Sequence, residues 1–157
     1  MNPICRSPRS RGLRLRRNAG FTLIETLVTV AIAGVLSSVA YPSLEGQVMR
    51  ARRTDALVAL LQAQLAQERF RANNASYGSL ADAGVWPTSP SGHYRIEVVS
   101  SGAAGFELLA SAVAGQARDT RCRHLRLALA DATLTYASGS DATTANGADA
   151  NRACWSR

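Results

Sequence analysis

Between Phe21 and Tyr41 the chain carries a single charge, Glu25, in an otherwise apolar or small-residue run of 21 positions. As a helix this run is roughly 31 Å long at about 1.5 Å per residue. That matches a membrane hydrocarbon core of roughly 30 Å and exceeds the 7–15 residues or so of an ordinary secretory h-region. Six arginines precede the run (Arg6, Arg9, Arg11, Arg14, Arg16, Arg17) with no acid among them. A basic arm in that place stays on the cytoplasmic side of a membrane. Ser38-Val39-Ala40 has the small-x-small look of a signal peptidase site, so a long signal peptide over residues 1–40 is the competing reading. The length of the run and the position of Glu25 count against it.

An acid at mid-span costs about 2.5–3.5 kcal/mol, less near an end, and usually has a partner. No basic residue follows Glu25 until Arg50. Cleavage after Gly20 would give Phe21 a free α-amino group in the same apolar zone. That charge could pair with Glu25 of its own chain or of a neighbour, docking apolar helices in a fixed register. The plainer alternative is a solvated Glu25 at the membrane interface.

The 157 residues suit one domain of ordinary size plus a targeting segment. The net charge of +7 is carried by arginine alone, since the chain has no lysine. Twelve arginines and all eleven acids lie after Phe21, so a form lacking residues 1–20 is close to neutral. Of three cysteines, Cys5 lies in the arm without a preceding apolar stretch and does not read as a lipoprotein anchor. Cys122 and Cys154 lie beyond the span, in what would be an oxidising compartment, and read as a disulfide. The closed loop of about 33 residues would stabilise the domain by roughly 3–4 kcal/mol. A metal site using these cysteines with His93 and His124 is the alternative, without paired short spacing to support it.

After Pro42 a helical period resumes. Leu57, Leu61 and Leu65 recur every fourth residue, joined by Val58 and Leu60 and rich in alanine. This predicts a helix from Phe21 to about Asn73, disturbed at Pro42. Roughly 80 Å of helix is more than a domain of this size can bury, so its first half needs lipid or other copies of the chain. A loop follows from Ala75 to Gly92. The period then becomes two: Tyr94/Ile96/Val98, Phe106/Leu108/Ala110 and Leu125/Leu127/Leu129 predict antiparallel strands with one buried face. Ser101–Gly105 makes the first hairpin loop, a short fourth strand holds Leu134 and Tyr136, and Ser138–Asn151 reads as loop before Cys154-Trp155.

Gly20-Phe21-Thr22-Leu23-Ile24-Glu25 after a basic arm resembles the processing site of type IV prepilins. The resemblance implies cleavage after Gly20, N-methylation of Phe21 and an assembly role for Glu25. Gly34 and Pro42 match positions where the family's helix loosens inside the fibre. Ala19 departs from the Lys or Arg that many members carry before the cleavage glycine. Asn74–Gly84, the Tyr94 strand, Gln116–Cys122, the Leu125/Leu127 strand and Cys154-Trp155 resemble a type IVa minor pilin subfamily of housekeeping fibre components and DNA-uptake receptors. Pseudopilins of type II secretion share the N-terminal motif, and the Cys-Cys-Trp arrangement argues against them. The implied fold is α+β, the type IV pilin fold: a long N-terminal helix on a three- or four-stranded antiparallel sheet, with a disulfide-closed C-terminal loop. The implied division is a basic leader at 1–20 that is removed, a transmembrane or fibre-core half-helix at 21–47, and a soluble domain at 48–157.

The expected function is that of a minor structural subunit of a type IV pilus, serving assembly, twitching, adhesion or DNA uptake. Its partners would be other pilins, the prepilin peptidase/methyltransferase and inner-membrane assembly machinery. It would lie in the inner membrane before assembly and outside the cell in the fibre afterwards. A DNA receptor is the alternative. Arg118, Arg121, Arg123 and Arg126 fall within nine positions, and Arg152 and Arg157 come near them once Cys154 is tethered. Such a patch supplies phosphate contacts, with His124 and Trp155 available to stack. The bland reading places these arginines, with Asp119, on the solvent face of an edge strand. No catalytic triad, carboxylate pair, phosphate loop, metal spacing or calcium loop is present, so neither enzyme activity nor a cofactor is expected.

Overall fold

The computed structural model describes residues 20–155. The basic arm with Cys5 and its six arginines, and Arg157 at the other end, lie outside the described residues. The chain divides into two units, Met1–Val39 and Ala40–Arg157. Helix α1, Leu23–Arg71, supplies residues to both and is continuous through Gly34 and Pro42.

In the first unit none of the described residues covers the apolar side chains. Leu23, Ile24, Leu27, Val28, Val30, Ile32, Val35, Leu36 and Val39 all lie exposed. They point in every direction around the helix, the pattern of a segment that something else must bury. The polar side chains are satisfied locally. Thr26 and Thr29 donate to the carbonyls of Leu23 and Thr26, and Ser37 and Ser38 to those of Ala33 and Val35. Hydroxyls that bond back to their own helix need no water. The 18 residues Leu23–Ala40 are long and apolar enough to cross a membrane.

The second unit is built on a four-stranded antiparallel sheet in the order β1-β2-β3-β4: Tyr94–Ser101, Gly105–Ala112, His124–Ala130 and Thr133–Gly139. The registers align the inward sets, with Tyr94 facing Ala112, Leu108 facing Leu127, and Leu127 facing Tyr136. Two 3-10 turns, Ala114–Arg118 and Thr120–Cys122, join β2 to β3. The core joins Ala56, Ala59, Leu60 and Ala63 of α1 to Tyr94, Ile96, Phe106, Leu108, Leu125 and Leu127 of the sheet. Three alanines on the inner helix face leave room for large side chains from the strands.

Two expectations shift here. The inner face of α1 is offset from the Leu57/Leu61/Leu65 row: Leu61 and Leu65 are 54% and 53% exposed, Val58 is exposed and Leu57 only half-buried. Ala56, Ala59 and Ala63 lie against the sheet together with Leu60, while Leu61 and Leu65 face away. The supposed loop Ser138–Asn151 is ordered at both ends. Ser138 and Gly139 complete β4, and a second helix, α2, spans Ala148–Cys154. This seven-residue helix has no apolar period to announce it. It is held from outside, by the Cys122–Cys154 disulfide and by Asn151, which donates to the Tyr136 carbonyl and accepts from the Ser138 hydroxyl.

Candidate functional site

At the head of α1, Thr22 and Glu25 cap each other. The Glu25 backbone N–H donates to Thr22 Oγ1 (3.3 Å), and the Thr22 N–H donates to Glu25 Oε2 (3.4 Å). This is a capping box, Thr-x-x-Glu, which satisfies two N–H groups that a helix start leaves unpaired. Residues 22–25 spell the Thr-x-x-Glu signal in the sequence. The box folds the carboxylate back to within one residue of Phe21, whose side chain is exposed. A side chain at Gly34 would meet nothing within 4 Å, so Gly34 serves no packing among the described residues.

The four arginines near the disulfide do not form one free patch. β3 lies between β2 and β4, so Arg126 is on an interior strand and not on an edge. Its Nη2 donates to the Ala142 carbonyl (2.6 Å) and its Nε sits 3.2 Å from Glu107, close enough for attraction but not aligned as a hydrogen bond. Arg123 is half-buried and donates from Nε to the Ala117 carbonyl. Arg118 and Arg121 are exposed. Arg118 pairs with Glu45 at 2.9 Å, and Arg152 on α2 lies 3.8 Å from Asp149. Trp155 is 7% exposed, edge-on to Tyr136, and donates from Nε1 to the Ala137 carbonyl. His124 meets Ser111 Oγ through Nδ1, and burial, then the Arg123 charge, holds its pKa below the usual value. Trp155 is closed to stacking, and His124 is half-buried.

Asp119, read from the sequence as a solubilising residue, is buried. It takes a bidentate pair from Arg53, Nε to Oδ2 at 2.6 Å and Nη2 to Oδ1 at 2.9 Å. Arg53 Nη1 also donates to the Ala153 carbonyl, so one guanidinium ties α1, the β2–β3 connection and α2 together. Gln116 joins this network, donating to Tyr94 Oη and the Met49 carbonyl. Burial first, with the Asp119 charge adding, pushes the Tyr94 hydroxyl up to about 12, although the Gln116 bond acts the other way. Both ends of the Arg53–Asp119 pair look like surface residues by type, and 66 positions separate them. Only the packing of α1 on the sheet makes them partners.

Cys122 and Cys154 are joined, with Cα atoms 5.5 Å apart, which removes both sulfurs from the metal alternative.

An unburied apolar half-helix headed by an acid, joined in sequence to a helix-on-sheet unit with a C-terminal disulfide, is the type IV pilin fold. A family model described as type IV minor pilin ComP, DNA uptake sequence receptor, matches residues 42–126. A model of the prokaryotic N-terminal methylation motif matches residues 15–41. The first covers more than half of the chain, and the chain belongs to this type IV minor pilin family, a family of structural pilins and not of enzymes. The type IV major pilin protein PilA of Myxococcus xanthus is 35% identical over 66 residues, 42% of this chain and 30% of PilA. Type II secretion system core protein G of Vibrio cholerae is 31% identical over 64 residues, 41% of this chain and 44% of that protein. The same protein of Pectobacterium carotovorum is 35% identical over 63 residues, 40% of each. The chain spans less than half the length of these curated relatives.

Proposed function

We propose that the chain is a minor structural subunit of a type IV pilus, made as a membrane-inserted precursor. The observation that carries this reading is the half-helix Leu23–Val39, apolar on all sides, with its hydroxyls bonded internally and no cover from the other described residues. Such a segment suits lipid first and the helices of neighbouring subunits afterwards. The prepilin peptidase cuts between Gly20 and Phe21, residues 1–20 leave as the leader, and the new Phe21 amine is methylated. Residues 21–47 form the fibre core and 48–157 the periplasmic, later extracellular, domain. Inner-membrane assembly machinery delivers the subunit to the fibre. There Glu25 pairs with the amine of a neighbouring subunit, and the helix, continuous here, loosens at Gly34 and Pro42. The test is Glu25→Ala: the variant inserts into the membrane but is missing from sheared fibres. Normal amounts of it in fibres would sink the assembly role of Glu25.

A second reading, reception of DNA at the fibre surface, is favoured by the DNA-uptake description of the family model and by the exposed Arg118, Arg121 and Arg152. Arg123 and Arg126 would contribute only by giving up their carbonyl and carboxylate partners. Titration of the detergent-solubilised chain with several duplexes across salt decides it. Binding that survives physiological salt, prefers some sequences and weakens in Arg118→Gln and Arg121→Gln supports a receptor. Binding that fades uniformly by moderate salt is non-specific phosphate attraction. A pseudopilin role, suggested by the core protein G relatives, predicts rescue of secretion and not of pili in a strain lacking the chain.

A further inference from the structure

Arg52 on α1 and Arg118 after β2 converge over Gly115. A side chain built on Gly115 would meet Arg52 Nη1 and Arg118 Nη2, each at 3.9 Å. Two guanidinium groups therefore flank bare backbone. Among the described residues lining the groove one carboxylate answers them: Glu45, paired with Arg118 at the surface. Among the described residues Arg52 has no ion-pair partner. Leu44, Val48 and Met49 complete an open groove of about 250 Å³. Leu44, Val48 and Arg52 stand four residues apart along α1, and Leu44 and Val48 are both exposed.

The groove thus pairs an apolar floor with a cationic fork in excess over its one acid. Guanidinium forks match phosphate oxygens bidentately. The floor selects among phosphates, because a nucleic acid backbone has no alkyl chain to cover Leu44 and Val48, whereas a phospholipid has. Leu44 also follows by four residues the end of the membrane-length segment at Ala40, so the groove begins close along the chain to where the bilayer surface would lie. We propose that this groove binds the phosphate headgroup of an anionic phospholipid, with Arg52 and Arg118 on the phosphate and the upper acyl chain along Leu44 and Val48. The contact would hold the soluble domain to the bilayer until the subunit is extracted into a fibre. It rests on the reading of Leu23–Ala40 as membrane-inserted.

The experiment reconstitutes the full chain in vesicles of phosphatidylcholine, alone or mixed with phosphatidylglycerol, and follows amide hydrogen exchange at residues 114–118. Exchange is expected to slow several-fold in the anionic vesicles. Arg52→Gln and Arg118→Gln should each remove that slowing, while Arg95→Gln, on β1, leaves it intact. Equal exchange in the two vesicle types overturns the proposal. So does equal slowing by duplex DNA added to phosphatidylcholine vesicles, which would reassign the fork to nucleic acid. Flotation after an alkaline carbonate wash separates the two levels of failure. A chain that is stripped from the vesicles defeats the membrane reading and this proposal together; a chain that stays, without headgroup dependence, defeats this proposal alone.

Discussion

At Thr22 and Glu25 the helix start and the proposed assembly charge use the same carboxylate. The capping role needs an oxygen acceptor at position 25, and the assembly role needs a negative charge. Glu25→Gln separates them, because its amide oxygen still accepts the Thr22 N–H. We expect this variant to keep its helix start and its membrane insertion, by circular dichroism and fractionation, yet to be missing from sheared fibres. Fibres containing it in normal amounts would leave Glu25 as a cap alone. Asp55 shows a different kind of anchoring. Burial alone would raise its pKa, but the Ser89 hydroxyl and the backbone N–H groups of Ser91 and His93 outweigh this and hold it below its ordinary value near 3.8. A carboxylate depressed in the folded state contributes stability above its unfolded pKa and loses it as pH falls through the folded value. In urea unfolding, the advantage of the native chain over Asp55→Asn should therefore be full above about pH 4 and shrink below it. A difference independent of pH would mean that Asp55 acts by packing alone.

Among the elements, the β3–β4 hairpin carries local strain. Ala130 pairs with Thr133, so Asp131 and Ala132 form a two-residue turn, with φ of 47° and 64°. Left-handed φ at both central residues marks a type I′ turn, which favours Asp-Gly. The Ala132 Cβ is strained there, and Ala132→Gly should stabilise the chain by about 1 kcal/mol, read from the urea midpoint at unchanged slope. An unchanged or lower midpoint would show that greater freedom in the unfolded chain offsets the relief. Helix α2 is the opposite case. Its sequence has little helical signal of its own, and at seven residues it is too short to persist alone. The disulfide, Asn151 and the Arg53 contact to Ala153 hold it in place. Asn151 also covers carbonyl and hydroxyl groups of β4, the outer strand on that side, which blunts an edge that could otherwise recruit another chain.

For the whole chain, charge and processing are linked. The excess of positive charge sits almost wholly in residues 1–20, and the remainder is nearly neutral. On the proposed processing, intact-mass measurement of chain recovered from membranes should show loss of residues 1–20 and the gain of one methyl group. Gly20→Leu should keep the full mass. A recovered chain beginning at Tyr41 would instead establish a signal peptide ending at Ala40 and would end the pilin-assembly reading.

Much of this could be read along the chain, because the relevant forces are local or compositional. The apolar run was visible as a segment its own domain could not bury; the periods of four and two placed α1 and the first three strands; a prepilin-like motif stood out over residues 20–25, inside the stretch that the methylation-motif model matches; and Cys122 and Cys154, the two thiols after the apolar run, form the disulfide. The capping box was also legible, in Thr22 and Glu25 three residues apart. What only the tertiary structure decided depends on which faces meet. Ala56, Ala59, Leu60 and Ala63, rather than the Leu57/Leu61/Leu65 row, line the inner face of α1, because contact with the sheet needs close approach. Asp119 became a buried partner of Arg53 across 66 positions, and α2 formed where no local pattern called for it. The arginine cluster was divided by the same packing: β3 became an interior strand, Arg126 and Arg123 turned to nearby acceptors, and Arg118 was brought beside Arg52. Local periodicity reports which residues prefer to leave water, but pairing between distant segments depends on the register and approach of whole elements, which no short stretch of sequence encodes.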